Sequence, residues 1–192
     1  MPSMPEGAHK DLLTEALREE AAGQQALLDG DADAASEPLR RAVQRYRESW
    51  EAAPPASFGR LVGMLKAAVL AGGAVEEARY ARAAISDPGA SPAAHYALAI
   101  AALVLAEDDA AARAAEGMRT GSPAFVRAAD AIAAIATGDG AAYAKAVRAI
   151  VDDFEGRDEH LTGVAIADTA LMLERLAEAR GLACAPRSQL LP

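Results

Sequence analysis

The 192-residue sequence has no asparagine, one cysteine and few aromatic residues, which make up 4% of the chain. Threonine occurs only five times, so residues that favour strands are scarce and an all-β protein is excluded. Cys184 has no partner for an internal disulfide, which predicts a reducing compartment, the cytoplasm. Met1–Lys10 has no apolar segment typical of a signal peptide. The longest apolar run, Ala97–Ala106, is too short to cross a bilayer.

Alanine is the residue that the sequence has in excess. It accounts for 52 of the 100 hydrophobic residues, and it is the best helix former. A disordered chain would contain far fewer apolar residues, so the composition predicts an all-α protein with closely packed helices. The formal net charge of −9 disfavours nucleic acid and anionic membranes as partners, because both require a basic surface.

Glycine, proline and aspartate turn signals divide the chain into nine segments with helical periodicity. Ser36, Ser91 and Ser122 stand next to or near a proline and mark predicted helix N-termini. One segment, 91–106, is apolar on almost every side, so we expect it to be the central helix. The predicted helices are 10–28, 36–53, 57–71, 74–86, 91–106, 108–118, 122–137, 140–155 and 160–180.

The turns between these helices recur at similar intervals. Gly30, Gly72, Glu107 and Gly138 are separated by 42, 35 and 31 residues, and each follows an apolar helix. The intervals straddle the tetratricopeptide period of about 34 residues, and segment 134–149 is the most similar to that family. The resemblance predicts antiparallel helical hairpins stacked as a short tetratricopeptide-like superhelix. An irregular helical bundle is the alternative.

This interpretation sets the expected organisation of the chain. A flexible N-terminus covers 1–9, a single all-helical domain covers 10–181, and an extended tail covers 182–192. Hairpin repeats occupy about 10–155 of the domain, and a capping helix occupies 160–180. In the tetratricopeptide family the concave face binds peptides or proteins, so the resemblance implies a non-catalytic protein-interaction or scaffold module.

Motifs for catalysis, nucleotides or metals are missing, and we expect no catalytic residue, cofactor or metal. The sequence has neither a P-loop lysine motif nor a nucleophile elbow. The aspartate-rich turn at 29–33 is similar to the start of an EF-hand loop, but Ala34 and Arg40 replace the required glycine and glutamate. The three histidines are too far apart in sequence for a two-histidine metal motif. They are His9, His95 and His160.

The segment 152–160 contains five carboxylates that require an explanation. Gly156 is expected to end a helix and Phe154 to face the core, so the acidic side chains would diverge. We interpret the segment as a solvated acidic loop. An acidic patch for a basic partner is one alternative, and a metal or catalytic site is another.

Four candidate partner-binding residues lie on helix 36–53. They are Arg41, Arg45, Tyr46 and Trp50, and arginine beside aromatic residues is typical of protein interfaces. The alternative is that the arginines form a solvated face paired with the acidic first helix, while Trp50 belongs to the core.

Three further candidates lie in later helices. His95 and Tyr96 could line a cleft, whereas Asp168 interrupts an apolar helix and could lie in a binding groove or at the edge of its polar arc. A deep polar cleft near His95 and Asp168 would favour a small-molecule-binding or enzymatic helical domain. A homodimer formed through an apolar helix face is a further alternative.

The C-terminus carries a second resemblance. Segments 161–171, 176–182 and 188–192 are similar to the closing part of a helical-repeat immunity family of bacterial polymorphic-toxin systems. This resemblance implies a protein that binds and neutralises a cognate toxin without catalysis of its own. It assigns no functional residue, because the shared positions are mostly small or apolar.

Overall fold

The computed structural model describes residues 7–192, which form nine α-helices and no β-strand. The all-α prediction is therefore confirmed, and seven of the nine helices begin and end within two residues of the predicted bounds. The helices are α1 (Ala8–Leu28), α2 (Ala32–Ala52), α3 (Gly59–Leu70), α4 (Val75–Ala84), α5 (Pro92–Val104), α6 (Asp108–Met118), α7 (Pro123–Thr137), α8 (Gly140–Glu155) and α9 (Asp168–Glu178).

Consecutive helices pack as hairpins, as short connections between helices favour. The pairs α1–α2, α5–α6 and α7–α8 have extensive contacts, and α2, α4 and α6 also contact the helix that follows them. Helices α3, α5 and α7 contact one another in turn and form an inner row, across which α9 packs against α3 and α7 and also reaches α8. The predicted hairpin arrangement is thus confirmed.

Helix α5 is the central helix, as its composition predicts. Eight of its thirteen residues are buried, including Ala97, Ala99 and Ala101, each with no exposed surface. Alanine side chains allow neighbouring helix backbones to approach closely, so the inner row packs without large side chains at these positions.

Helix α2 begins four residues earlier than predicted. Its N-cap is Asp31, whose Oδ1 accepts a hydrogen bond of 2.8 Å from the Ala34 amide, so Ser36 lies inside the helix. The aspartate-rich turn therefore caps a helix, which is a common use of aspartate. Ser91 caps α5 as predicted, whereas Ser122 precedes α7 without a side-chain cap.

The predicted capping helix 160–180 is too long, because α9 begins only at Asp168. Residues 156–167, here named the crossing loop, contain no helix. Gly163 adopts a φ of 79°, which a continuing right-handed helix does not allow, and its N–H donates to the His160 carbonyl at 2.9 Å. Thr162 also donates a side-chain hydrogen bond to Gln24 of α1, which ties the loop to the far end of the chain.

Residues near both ends of the chain are attached to the helical domain. Ala8 and His9 belong to α1 and Gly7 is its N-cap, so the helix begins inside the predicted segment 1–9. Residues 1–6 of that segment lie outside the described residues. The tail 182–192 has no helix, but it is attached to the domain: the Ala167 amide donates to the Leu190 carbonyl at 2.9 Å. Three leucines of the tail pack against the core. They are Leu182, Leu190 and Leu191.

Candidate functional site

Five polar side chains from five helices meet in the interior, and we name them the buried polar cluster. Lys66 Nζ lies 2.5 Å from Asp168 Oδ2, and the Tyr46 hydroxyl donates to Glu20 Oε2 at 2.5 Å. These four residues line one cavity of about 270 Å³. The fifth residue, Tyr96, is close enough to Lys66 and Asp168 for their charges to act on its phenol.

The local sequence explains how two of these side chains reach the interior. Lys66 is the only charged residue between Leu61 and Leu70. Most of its neighbours on α3 are buried, so burial of the helix places the lysine in the interior as well. Tyr46 lies flat against the same helix because Gly63 has no side chain, since a Cβ there would stand 2.6 Å from the Tyr46 ring. Glycine at this position therefore leaves room for the ring of Tyr46, so that its hydroxyl group reaches the cluster.

Lys66 and Asp168 form a largely buried ion pair, with side chains that are each 14% exposed. Burial acts against the charged lysine, but Asp168 and Glu20 outweigh it and raise the pKa of Lys66. Thr169 completes the pair, because its hydroxyl accepts from Lys66 Nζ at 3.2 Å and donates to Asp168 Oδ1 at 3.3 Å. A lysine in this setting stays protonated, so it acts as a cation and a hydrogen-bond donor.

Glu20 is the group of the cluster whose pKa is shifted into the neutral range. Glu20 is only 3% exposed, and burial raises the pKa of its carboxyl group to about 7. The charge of Asp168 adds to this increase, whereas Lys66 and the hydrogen bond from Tyr46 oppose it. A carboxyl group with this pKa is about half protonated near neutral pH. Strongly perturbed groups that line a cavity are typical of functional sites, although structural networks also produce them.

Two buried polar atoms of the described residues have no hydrogen-bond partner, and both belong to this region. They are the Tyr96 hydroxyl and Nδ1 of His160. Burial raises the pKa of Tyr96, and its neighbour Thr169 is already engaged with Lys66 and Asp168. A buried polar atom without a partner costs free energy, so a ligand that supplied one would be bound more tightly.

The buried polar cluster lies at the centre of three adjoining cavities, which together we name the central cleft. The α1 cavity, of about 270 Å³, has apolar walls that include Leu13, Leu17 and Val62. The loop cavity, of about 130 Å³, lies beneath the crossing loop. Lys66 and Asp168 line both the loop cavity and the α1 cavity. The arginine cavity, of about 210 Å³, lies among α3, α5, α7 and α8.

The crossing loop places one large apolar side chain at the edge of this cleft. Leu161 is 81% exposed and lines both the α1 cavity and the loop cavity. Among residues 7–192, Val75 at the start of α4 is the only other exposed large hydrophobic residue, and it is 46% exposed. An exposed leucine beside apolar walls is a feature of binding surfaces.

The predicted arginine candidates lie on the outer surface of the α1–α2 hairpin. Arg41 donates to Glu19 at 2.9 Å, and Arg45 lies 3.0 Å from Glu15 and 2.6 Å from Glu48. The structure therefore pairs these arginines with acidic residues of both α1 and α2, which corresponds to the alternative expectation of a solvated, paired face.

The two aromatic candidates of α2 have different surroundings. Tyr46 is 2% exposed and belongs to the buried polar cluster, so it does not form an outer surface with Arg41. Trp50 is half-buried and stacks on Phe58 with 5.6 Å between ring centroids. The structure thus separates these residues, which the sequence grouped together.

The candidates of the later helices are also separated. His95 packs on α6 at Gly117 and lies 3.1 Å from the Gly89 carbonyl, in a cavity that Asp168 does not line. Tyr96 and Asp168 instead meet at the buried polar cluster. His95 and Asp168 therefore do not share a cleft of the kind that an enzymatic domain would need there. Asp168 lines the α1 cavity and the loop cavity, and its role in binding stays a prediction.

The acidic segment 152–160 is neutralised in part by arginines. Gly156 ends α8 and Phe154 is buried, as predicted. Asp153 accepts from Arg127 and, at 2.6 Å, from Arg157. Among residues 7–192, no group of three or more acidic, histidine or cysteine side chains is arranged to hold a metal ion.

Sequence reasoning missed five residues of the central cleft, and only one had a clear signal. Lys66 is the only charged residue between Leu61 and Leu70, and a lone charge in an apolar stretch must either be buried with a partner or reach toward solvent. Glu20 belongs to the acidic first helix, which one interpretation of the sequence treats as a solvated partner of the arginines, and nothing local distinguishes the remaining three. The missed residues are Glu20, Lys66, Arg127, Arg157 and Leu161.

Comparison of the chain with protein-family models, with curated proteins and with solved structures gives no match. Within residues 7–192, none of the helices combines the length and the apolar character needed to cross a membrane.

Proposed function

We propose that this protein is a non-catalytic interaction module that binds another protein through the central cleft. The observation that carries the proposal is Leu161, which is 81% exposed beside the apolar walls of the α1 cavity. Apolar side chains at the edge of a concave site are typical anchors of protein interfaces. Beneath them, Lys66 and Asp168 offer a donor and an acceptor that could fix the orientation of a bound segment.

The hairpin arrangement supports the same proposal. The α3–α5–α7 inner row is where a tetratricopeptide-like array would hold its ligand, and α9 already occupies part of it. We therefore place the partner between α1, α3 and the crossing loop. Toxin neutralisation in a bacterial cytoplasm is a narrower version, which rests on the C-terminal sequence resemblance alone.

A capture experiment with matched variants tests the proposal. Tagged wild-type protein, Leu161→Asp and Val75→Asp are used as baits in lysate of the source organism, and captured proteins are quantified by mass spectrometry. Val75→Asp is the control because it places the same charge at the other exposed apolar residue, in the first turn of α4 where an acid is tolerated.

The expected result is one protein that the wild type and Val75→Asp retain in near-stoichiometric amount and that Leu161→Asp loses. Its identity would also test the toxin version directly. Equal retention by all three baits would contradict a site at the crossing loop. Light scattering of the purified protein distinguishes the homodimer, because a self-associated chain has twice the 19.7 kDa of the monomer.

An acid–base enzyme is the second candidate function, and Glu20 is the observation that favours it. Its pKa of about 7 is suited to proton transfer, and it lines the α1 cavity with Tyr46. The two functions respond differently to Glu20→Gln: the interaction module should retain its partner, whereas an enzyme should lose turnover.

A further inference from the structure

The arginine cavity has a chemical character of its own, separate from the α1 cavity. Most of its exposed wall is apolar, with side chains that include Val62, Phe125, Ile150 and Phe154. With a volume of about 210 Å³, it is too small for a helix, which has a diameter of about 10 Å with its side chains. It can therefore receive a small apolar group but no folded element of a partner.

Two guanidinium groups line this cavity on one side. Arg127 and Arg157 both donate to Asp153, one to each carboxylate oxygen. Burial acts to raise the pKa of Asp153, but the two arginines hold it below its usual range, so Asp153 stays ionised. Two cations against one anion leave this side of the cavity with a net positive charge.

The arginines are held in position and still have free donors. The Arg157 guanidinium lies 3.7 Å from the centre of the Phe154 ring, which limits its movement. Among residues 7–192, the contact with Asp153 is the only hydrogen bond that either arginine makes through its side chain. The remaining N–H groups can donate to an incoming anion, and arginine is well suited to a carboxylate because it can donate two parallel hydrogen bonds.

We propose that the arginine cavity binds a small monocarboxylate, whose apolar body occupies the cavity and whose carboxylate pairs with Arg127 and Arg157. An apolar ligand without charge would leave the arginine donors unused. A ligand with several charges would bury anions against Phe125 and Ile150, which is costly. This proposal does not depend on protein binding at Leu161, because Leu161 does not line the arginine cavity.

Isothermal titration calorimetry with three probe acids tests this proposal. The probes are 3-phenylpropionate, hexanoate and 4-methylpentanoate, and the amide of each probe is its neutral control. The protein variants are Arg157→Gln, which removes one cation, and Ala124→Trp, which adds a bulky side chain at an exposed position of the cavity lining. Arg148→Gln is the matched control, because Arg148 is an arginine of α8 that pairs with Asp152 outside the cavity.

We expect at least one acid to bind the wild type with saturable heat. Arg157→Gln should weaken it about tenfold or more, because a hydrogen bond to a charged group is lost. Ala124→Trp should abolish binding, while Arg148→Gln should leave it unchanged and the amides should bind weakly to every variant. The proposal is overturned if no acid binds, or if the affinity is the same for Arg157→Gln and for Ala124→Trp as for the wild type.

Discussion

Replacing Glu20 with glutamine should raise the free energy of unfolding above that of the wild type, and this gain should be larger at pH 8 than at pH 5. The pKa of Glu20 is about 7 in the folded protein, against 4.5 for the free side chain. In the unfolded chain the carboxyl group therefore releases its proton at a lower pH. Its contribution to stability is complete below about pH 4.5 and is lost as the pH rises through about 7.

The size of the effect follows from this difference in pKa. At about 1.4 kcal/mol per pKa unit, ionised Glu20 costs about 3 kcal/mol in the folded state. Most of that cost, about 2–3 kcal/mol, is imposed between about pH 5 and pH 8. Glutamine carries no charge to bury, and its amide can still bond to Tyr46, because a phenol both donates and accepts.

The assay is urea unfolding followed by far-ultraviolet circular dichroism at several values of pH. The measured quantity is the difference in free energy of unfolding between Glu20→Gln and the wild type, which should increase by about 2–3 kcal/mol from about pH 5 to pH 8. Glu19→Gln is the matched control, since Glu19 is the preceding residue and its side chain is 30% exposed beside Arg41. Glu19→Gln should not reproduce this increase. A difference for Glu20→Gln that stays constant with pH would refute burial of an ionisable carboxyl group.

Three further predictions concern contacts that hold the cleft and the helix array together. Lys66→Met should lower the free energy of unfolding by about 3 kcal/mol in urea, because it leaves Asp168 buried without its partner, and the double variant with Asp168→Leu should recover most of the loss. Gly117→Ala should cost about 1–3 kcal/mol, since its Cβ would lie 2.4 Å from the His95 ring, and His95→Ala should relieve that cost in a double-mutant cycle. Deleting residues 182–192 should lower the melting temperature by roughly 2–10 °C in calorimetry, as three packed leucines are lost, whereas deleting the final proline alone should have no effect.

Most of the helices could be predicted because their signals are local. Alanine content, turn residues and apolar periodicity act within a few residues of one another, and they placed α6 and α8 without error. The failures have equally local causes. Asp31 rather than Ser36 is the N-cap of α2, so that helix begins earlier than predicted. The positive φ of Gly163 is incompatible with a helix through residues 161–167, which their apolar character would otherwise favour.

The candidate site was much less predictable, because its residues are distant in sequence. Arg41 and Arg45 were attractive as a basic stripe, but the stripe faces Glu15 and Glu19 of the neighbouring helix. Helical periodicity gives the angle of a side chain about its own axis. It does not say which other helix lies at that angle, so the acidic stripe that neutralises the arginines was only one of two interpretations.

Glu20 shows that a shift of one residue along a helix separates a solvated acid from a buried one. It follows Glu19 directly, but one residue turns the side chain by about 100°, which takes it from the solvated stripe to the buried face of α1. At that angle it meets Tyr46 of the next helix and the charge of Lys66. The apolar positions of α1 indicate the buried face, but an acid on that face is normally assigned to its edge unless a cation is known to oppose it.

Lys66 and its partner Asp168 are far apart in sequence, and their ion pair links the cleft to the C-terminal segment. Asp168 and Thr169 belong to α9, and both engage Lys66 of α3. Without α9 in place, Lys66 would have no anion at contact distance in this cluster and the loop cavity would lose Asp168 and Thr169 from its lining. By thermodynamic linkage, a ligand that binds the assembled cleft must also stabilise the docking of α9. Ligand binding should therefore protect the amides of α9 from hydrogen exchange, even where the ligand does not touch them.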